Sequence, residues 1–233
     1  MIKFLITFLA LASSVGNAFS IDAHDEHYNQ LKTSTTMADK RLLSIVDNEQ
    51  KLFNKFAKDP EQFTQADMDF KVHSLISQYE LYITDNNKDI KGYIFLGKLL
   101  RNVNRADRAH VIYQQAEKID GNVAVIHQQI GNYLAETGEI GSAYQSLKKA
   151  VKLDSRKGIY HYQVGTFLHF YKREIIAQQL IAEGTLKTEI YEAFKKAHQL
   201  DSEQREFTER FAQAHYDIDS PDWEKALSLW QQL

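Results

Sequence analysis

The sequence predicts an all-α fold, an α-solenoid of antiparallel helical hairpins, and three observations carry that prediction. The dipeptides Leu96-Gly97, Ile130-Gly131 and Val164-Gly165 stand 34 residues apart. Other residues return in the same phase: Ala109 with Ala143, Tyr113 with Leu147, Ala116 with Ala150, Ile119 with Leu153, and Asp120 with Asp154. Within each unit the apolar residues Leu96 and Leu100, Ile130 and Leu134, Val164 and Leu168 lie four apart, which places each pair on one helix face. A fixed period of this length in a helix-rich chain marks hairpins that are too small to bury their apolar faces alone and must share a core with their neighbours.

Composition fits a folded protein of this kind. Of 233 residues, 43% are hydrophobic and 25% charged, as in ordinary globular domains. The formal charge of −3 comes from cations and anions mixed along the chain, without the clustered Lys and Arg that a phosphate backbone needs, so no nucleic-acid partner is expected. Cysteine is absent, which excludes disulfides, thiolate metal sites and lipidation at a signal-peptide cysteine.

The first element is residues 1–20. Lys3 supplies a short positive segment, Phe4 to Val15 an apolar run, and Gly16-Asn17-Ala18 and Ala18-Phe19-Ser20 small residues at cleavage-site spacing. This predicts a signal peptide, cleaved after Ala18 or Ser20, and a periplasmic or secreted product. The run is shorter than the roughly 20 residues that cross a bilayer, so no integral membrane segment is expected after cleavage. Residues 21–37 are polar and lack apolar periodicity, which predicts a mobile leader.

A divergent N-terminal hairpin is expected over 38–88. Leu42, Leu43, Ile45, Val46, Leu52, Phe53 and Phe56 fall at helical spacings until Asp59-Pro60, and a second helix opens at Thr64, a plausible N-cap. Departure from the repeat pattern suits a terminal unit, which covers the open end of the core. Repeats follow over 90–123, 124–157 and 158–201. The third is stretched: Phe194, Ala197, Leu200 and Asp201 restore the ending of the second repeat 13 residues late. Ile175, Ile176, Leu180 and Ile181 predict an inserted helix over 172–183, with Gly184-Thr185 as a stop and new cap. A last hairpin occupies 202–233, with Phe207, Phe211 and Ala214 on its first helix, and Ser220 capping and Pro221 opening its second.

These residues resemble the tetratricopeptide repeat (TPR), whose signature is W-x2-L-G-x2-Y, then A-x3-F-x2-A and a helix-breaking Pro. Tyr93, His127 and His161 take the Trp slot, Leu100, Leu134 and Leu168 the Tyr slot, Tyr113 and Leu147 the Phe slot, and Gly121 and Ser155 the Pro slot. The ending Ser220-Pro221-Asp222-Trp223-Glu224-Lys225-Ala226-Leu227 and the stretched third repeat are similar to secreted bacterial TPR proteins without assigned activity. The resemblance implies a non-catalytic scaffold that binds a protein or peptide on its concave face, lined by the first helix of each hairpin. It selects Ile94, Lys98, Arg101 and Asn102 in the first repeat, Gln128, Asn132, Ala135 and Glu136 in the second, and Tyr162, Thr166, His169 and Phe170 in the third. Lys98 and Arg101 offer charge-assisted bonds to a carboxylate, Asn132 can pair with a peptide backbone, and Tyr162 with Phe170 can form an aromatic shelf. Ile94 and Ile159 fall where a carboxylate-gripping TPR would carry cations, so recognition of chaperone tails is not expected.

No catalytic residues, cofactor or ordered metal site are expected. Gly-rich phosphate loops, a nucleophile elbow and HExxH are missing from the sequence. His24-Asp25-Glu26-His27 lies in the expected leader, and His161 and His169, eight apart, are read as packing and surface residues respectively. The second expectation, from a different class, is self-association through the C-terminal hairpin, motivated by Trp223, Leu227 and Trp230.

Overall fold

A computed structural model describes residues 26–233, so the signal-peptide expectation for 1–20 lies outside the described residues. Twelve α-helices and one 3-10 turn make up the regular structure of the described residues. The chain divides into two compact units, one ending at Ile119 and the other spanning Asp120–Leu233.

The first unit holds α1 (Glu26–Thr33), α2 (Met37–Lys58), α3 (Gln65–Asp85), α4 (Ile90–Asn102) and α5 (Ala106–Ile119). Helix α1 corrects the expectation of a mobile leader over its part of the chain. Leu31 is fully buried, and the Tyr28 hydroxyl lies 3.2 Å from Asp47 Oδ1 on α2. One leucine on an eight-residue helix leaves no periodicity to read, which is why the segment looks unstructured as sequence. Helix α2 begins after Thr36, whose side chain accepts from Asp39 N at 3.1 Å, and stops at Asp59-Pro60 as predicted. Thr64 caps α3 with a full capping box, Asp67 answering the Thr64 backbone N–H. Asp39 also receives the Lys91 ammonium at 2.5 Å, a tie between α2 and the start of α4. Burial pushes the Asp39 carboxyl up, but hydrogen bonds from Lys91, Ser34 and Thr36 outweigh it and hold the pKa below its ordinary value.

The second unit holds α6 (Ala124–Glu136), α7 (Ile140–Leu153), α8 (Gly158–Phe170), α9 (Lys172–Ala177), α10 (Glu183–Leu200), α11 (Arg205–Ala214) and α12 (Trp223–Trp230). Helix α6 pairs with α7, and α8 pairs with α10 across the insertion. Helix α9 is shorter than the predicted 172–183. It ends in a left-handed residue, Gln179 at φ 55, and Leu180 N returns to Ile175 O at 3.0 Å, the closing bond of a Schellman turn. Gly184 is no stop: it lies inside α10, which begins after Ala182. The insertion packs inward, with Ile175 of α9 and Ile181 of the connection after it in the same core as Ile140, Leu147, Phe167 and Phe194.

Helix α12 begins two residues later than predicted. Asp222, not Ser220, caps it, with Oδ1 accepting from Lys225 N at 2.8 Å, so Pro221 precedes the helix instead of opening it. The seams are those the period implies. A Cβ on Gly97 would meet the Tyr113 ring at 2.5 Å, one on Gly131 would meet Leu147 Cγ at 2.8 Å, and one on Gly165 would meet the Phe194 ring at 2.9 Å. Each glycine therefore faces the residue in the Phe slot of the paired helix.

Candidate partner-binding surface

Each first helix is anchored by the same polar clasp. The Tyr93 hydroxyl donates to Asn87 O at 3.1 Å, His127 Nε2 to Gly121 O at 2.7 Å, His161 Nε2 to Ser155 O at 3.0 Å and the Thr208 hydroxyl to Ser202 O at 3.3 Å. In all four the acceptor is six residues back, in the turn that enters the helix. Carbonyl oxygens cannot donate, so Nε2 carries the proton in both histidines. The Trp slot thus holds side chains that fix the entry turn by hydrogen bonding, a role beyond the packing expected of it. His127 is buried, whereas His161 is half-buried.

This anchoring sets which residues of each first helix remain accessible. In the first unit, Lys98, Arg101 and Asn102 on α4 are half-buried, and Lys98 Nζ lies 5.6 Å from the Phe95 ring centroid. Ile94 is fully buried and offers a ligand no surface. The same unit holds a group the sequence reading did not select: Glu49 of α2 is 5% exposed and accepts the hydroxyl of Tyr79 on α3 at 2.6 Å. The signal was present, because Glu49 continues the apolar stripe of Leu42, Ile45 and Val46 and precedes Phe53 by one turn.

In the second unit, Asn132 is half-buried and Glu136 exposed on α6, while Gln128 and Ala135 are buried. On α8, Thr166 and His169 are half-buried and Phe170 is 65% exposed. Tyr162 is largely a packing residue. Its ring lies 4.8 Å from Phe207 and 5.8 Å from Phe194, centroid to centroid, so it forms no shelf with Phe170. Phe170 instead carries the Arg210 guanidinium over its ring at 5.9 Å and the edge of His169 at 5.6 Å. Asp217 lies 3.9 Å from His169 Nδ1 and 3.7 Å from Lys172 Nζ. Burial, with Lys172 and Arg210 nearby, lowers the His169 pKa against the pull of Asp217. One and two turns earlier on α8, Thr166 Oγ1 and Gln163 Oε1 are enclosed without a hydrogen-bond partner among the described residues. Arg210, Asp217 and Gln163 were missed because they lie outside the positions the repeat template selects.

Among the described residues no group of three or more His, Asp or Glu is placed to hold a metal ion; His24 and Asp25 lie outside them. No helix among those residues is long and apolar enough to cross a membrane.

Paired hairpins, a glycine seam and a 34-residue period define an all-α solenoid of the TPR type. Solved structures with the same fold include the crystal structure of MamA, at TM-score 0.54 and 15% identity over 73% of this chain and 96% of that one. They also include MamA 41-end from Desulfovibrio magneticus RS-1, at TM-score 0.52 and 16% identity over 70% and 83%. TTC0263, a thermophilic TPR protein of Thermus thermophilus, aligns at TM-score 0.52 and 14% identity over 91% and 93%. At these identities the likeness is one of fold. No family model and no curated protein matches the chain.

Proposed function

We propose that this chain is a non-catalytic protein-interaction module of the bacterial cell envelope, binding a peptide or protein segment along the accessible faces of its first helices. The TPR-type fold of its structural neighbours supports an interaction role, and the signal-like sequence of 1–20 supports the envelope location. The observation that carries the reading is positional. Lys98, Asn132 and Thr166 stand one period apart, and all three are polar and partly accessible while the glycine and leucine positions beside them are buried. Arg101 and His169, with Asn102, Glu136 and Phe170, extend the set on the next turn. Within each unit, accessible polar and aromatic side chains of these types suit an extended or helical segment, held by a few aromatic and Arg anchors.

The test is partner capture by residues 21–233 from envelope extract, with Lys98→Glu and Phe170→Ala as separate variants. Tyr162 is left intact because its removal would damage the core. Each variant is expected to reduce recovery of a specific protein at least tenfold with an unchanged melting curve; undiminished recovery in both refutes the reading.

A second reading, self-association, is favoured by α12. Trp223 is 54% and Leu227 60% exposed, Trp230 lies on the same face, and Tyr216 packs on Trp223 with ring centroids 5.4 Å apart. If this face joins copies of the chain, sedimentation shows a mass rising with concentration, and Leu227→Glu returns it to a monomer. A constant monomeric mass in the wild type removes this reading.

A further inference from the structure

Phe170, the last residue of α8, is 65% exposed, and Arg210 of α11 holds its guanidinium over that ring, 5.9 Å from the centroid. The guanidinium has no acid of its own. Its hydrogen bond among the described residues runs from Nη1 to Gln213 Oε1 at 3.1 Å, and the adjacent acid, Glu209, is bound instead by Gln213 Nε2 at 3.1 Å. A guanidinium carries five N–H donors in a planar fork, so Gln213 uses one and the others face no carboxylate of this chain among the described residues. The remaining charges of the cluster are matched. Asp217 stands 3.7 Å from Lys172 Nζ and 3.9 Å from Nδ1 of His169, whose ring edge in turn meets Phe170.

We propose that the Phe170 and Arg210 pair anchors an acidic segment of a partner protein, Arg210 taking a carboxylate on its fork and the exposed Phe170 ring taking an apolar side chain beside that carboxylate. This rests on the reading of the α8 face as a binding surface and names the chemistry that face accepts. Stacking on Phe170 holds the guanidinium in place before a ligand arrives, so less side-chain freedom is lost on binding. A carboxylate fits the fork at two points, which makes such a bond stronger than a neutral one.

The charge around the pair selects a short acidic segment over a polyanion. Arg210 is the one cation of the cluster without an acid, whereas a phosphate backbone needs several such cations in a row. Asp217, with its side chain 44% exposed, borders the site and repels extended negative charge.

Fluorescence anisotropy on the intact chain with a labelled hexapeptide of alternating Phe and Glu tests the assignment. Replacing the Glu residues of the peptide by Gln is expected to weaken binding about tenfold, and Arg210→Gln is expected to weaken the Glu peptide by the same factor while leaving the Gln peptide unchanged. Asp217→Asn, which removes a like charge and frees Lys172, is expected to tighten the Glu peptide about threefold. Equal wild-type affinity for the two peptides overturns the proposal, as does an Arg210→Gln variant of unchanged melting midpoint that weakens both alike. If that midpoint falls, Arg210→Lys, which keeps the charge and loses the fork, decides by the same comparison. An oligothymidylate that binds as tightly as the Glu peptide makes the patch a polyanion surface and also overturns it. Partner capture that is lost in Lys98→Glu but retained in Arg210→Gln overturns this anchor alone and leaves the interaction role standing.

Discussion

Gly131→Leu is expected to destabilise the second unit by about 3 kcal/mol and to lower the melting midpoint by roughly 10 °C. The cause is a seam with no slack. A Cβ at this position would lie 2.8 Å from Leu147 Cγ, 2.9 Å from Leu147 Cδ2 and 3.2 Å from the Leu147 backbone nitrogen. The first two contacts could be relieved by a rotamer change if Leu147 were exposed, but it is buried in the shared core with Val164 and Phe194. The third involves the main chain of α7, so the helix itself must move away from α6. Gly141→Ala is the matched control, since its Cβ would meet nothing closer than Gln178 Oε1 at 3.5 Å. Within a helix that change is expected to leave stability unchanged or raise it by up to about 1 kcal/mol. Circular dichroism melts of the two variants decide the matter: if Gly131→Leu melts with the wild type, the pairing of glycine and Phe slots is wrong.

The same seam explains how much of the fold the sequence discloses. A glycine that must face a large residue on the paired helix fixes both positions, so Gly97 with Tyr113, Gly131 with Leu147 and Gly165 with Phe194 are readable from spacing alone. The turn chemistry is equally local. The first helices α4 and α6 close through left-handed residues one period apart, Asn104 at φ 58 and Gly138 at φ 84, residue types that tolerate this region. One period further on stands Lys172, which does not favour it; there the chain enters α9, and the left-handed residue is displaced to Gln179. The existence of an insertion was therefore legible, whereas its boundary was not, because glutamine gives no turn signal and Gly184 gives a misleading one.

The site is less legible because a template of positions says which way a residue points only if the helix is regular and its neighbours are small. Ile94 and Gln128 hold template positions yet are buried, and Tyr162 is drawn into an aromatic stack by Phe207, a residue 45 positions away in sequence. Glu49 and Arg210 acquire their roles from helices brought beside them by the fold. The clasp shows the reverse case. Tyr93, His127, His161 and Thr208 share no obvious chemistry as a column, but each can donate to a carbonyl six residues back, and Thr208 keeps its place in the series once the 13-residue insertion is allowed for.

His215→Phe is expected to stabilise the second unit by about 1 kcal/mol at pH 7 and to reduce its loss of stability in acid. His215 is fully buried, and neither ring nitrogen has a hydrogen-bond partner among the described residues. Its surroundings are aromatic: Tyr191 lies edge-on at 5.0 Å and Phe211 tilted at 5.1 Å, centroid to centroid. An enclosed imidazole of this kind retains the desolvation penalty of its unpaired nitrogens, which an apolar ring of similar shape does not incur. Burial lowers the His215 pKa from its usual 6.5, with Asp222 opposing the shift and Lys225 adding to it. Burial also lowers His198 and His169. A base whose folded pKa is depressed leaves stability intact above the unfolded value. As pH falls through about 6.5 towards the folded value, the unfolded chain binds protons that the folded one refuses, and stability is lost. Wild-type midpoints should therefore fall between pH 7 and 5, and His215→Phe should show a higher midpoint at pH 7 with a shallower fall, the remainder belonging to His198 and His169. His198 is not equivalent, because the Thr208 hydroxyl donates its proton to Ser202 O and so requires His198 Nδ1 to donate to it; His198→Phe should cost stability at every pH. A midpoint for His215→Phe below that of the wild type at pH 7, with the acid slope unchanged, would show that the ring is satisfied and that the acid sensitivity of this unit has another origin.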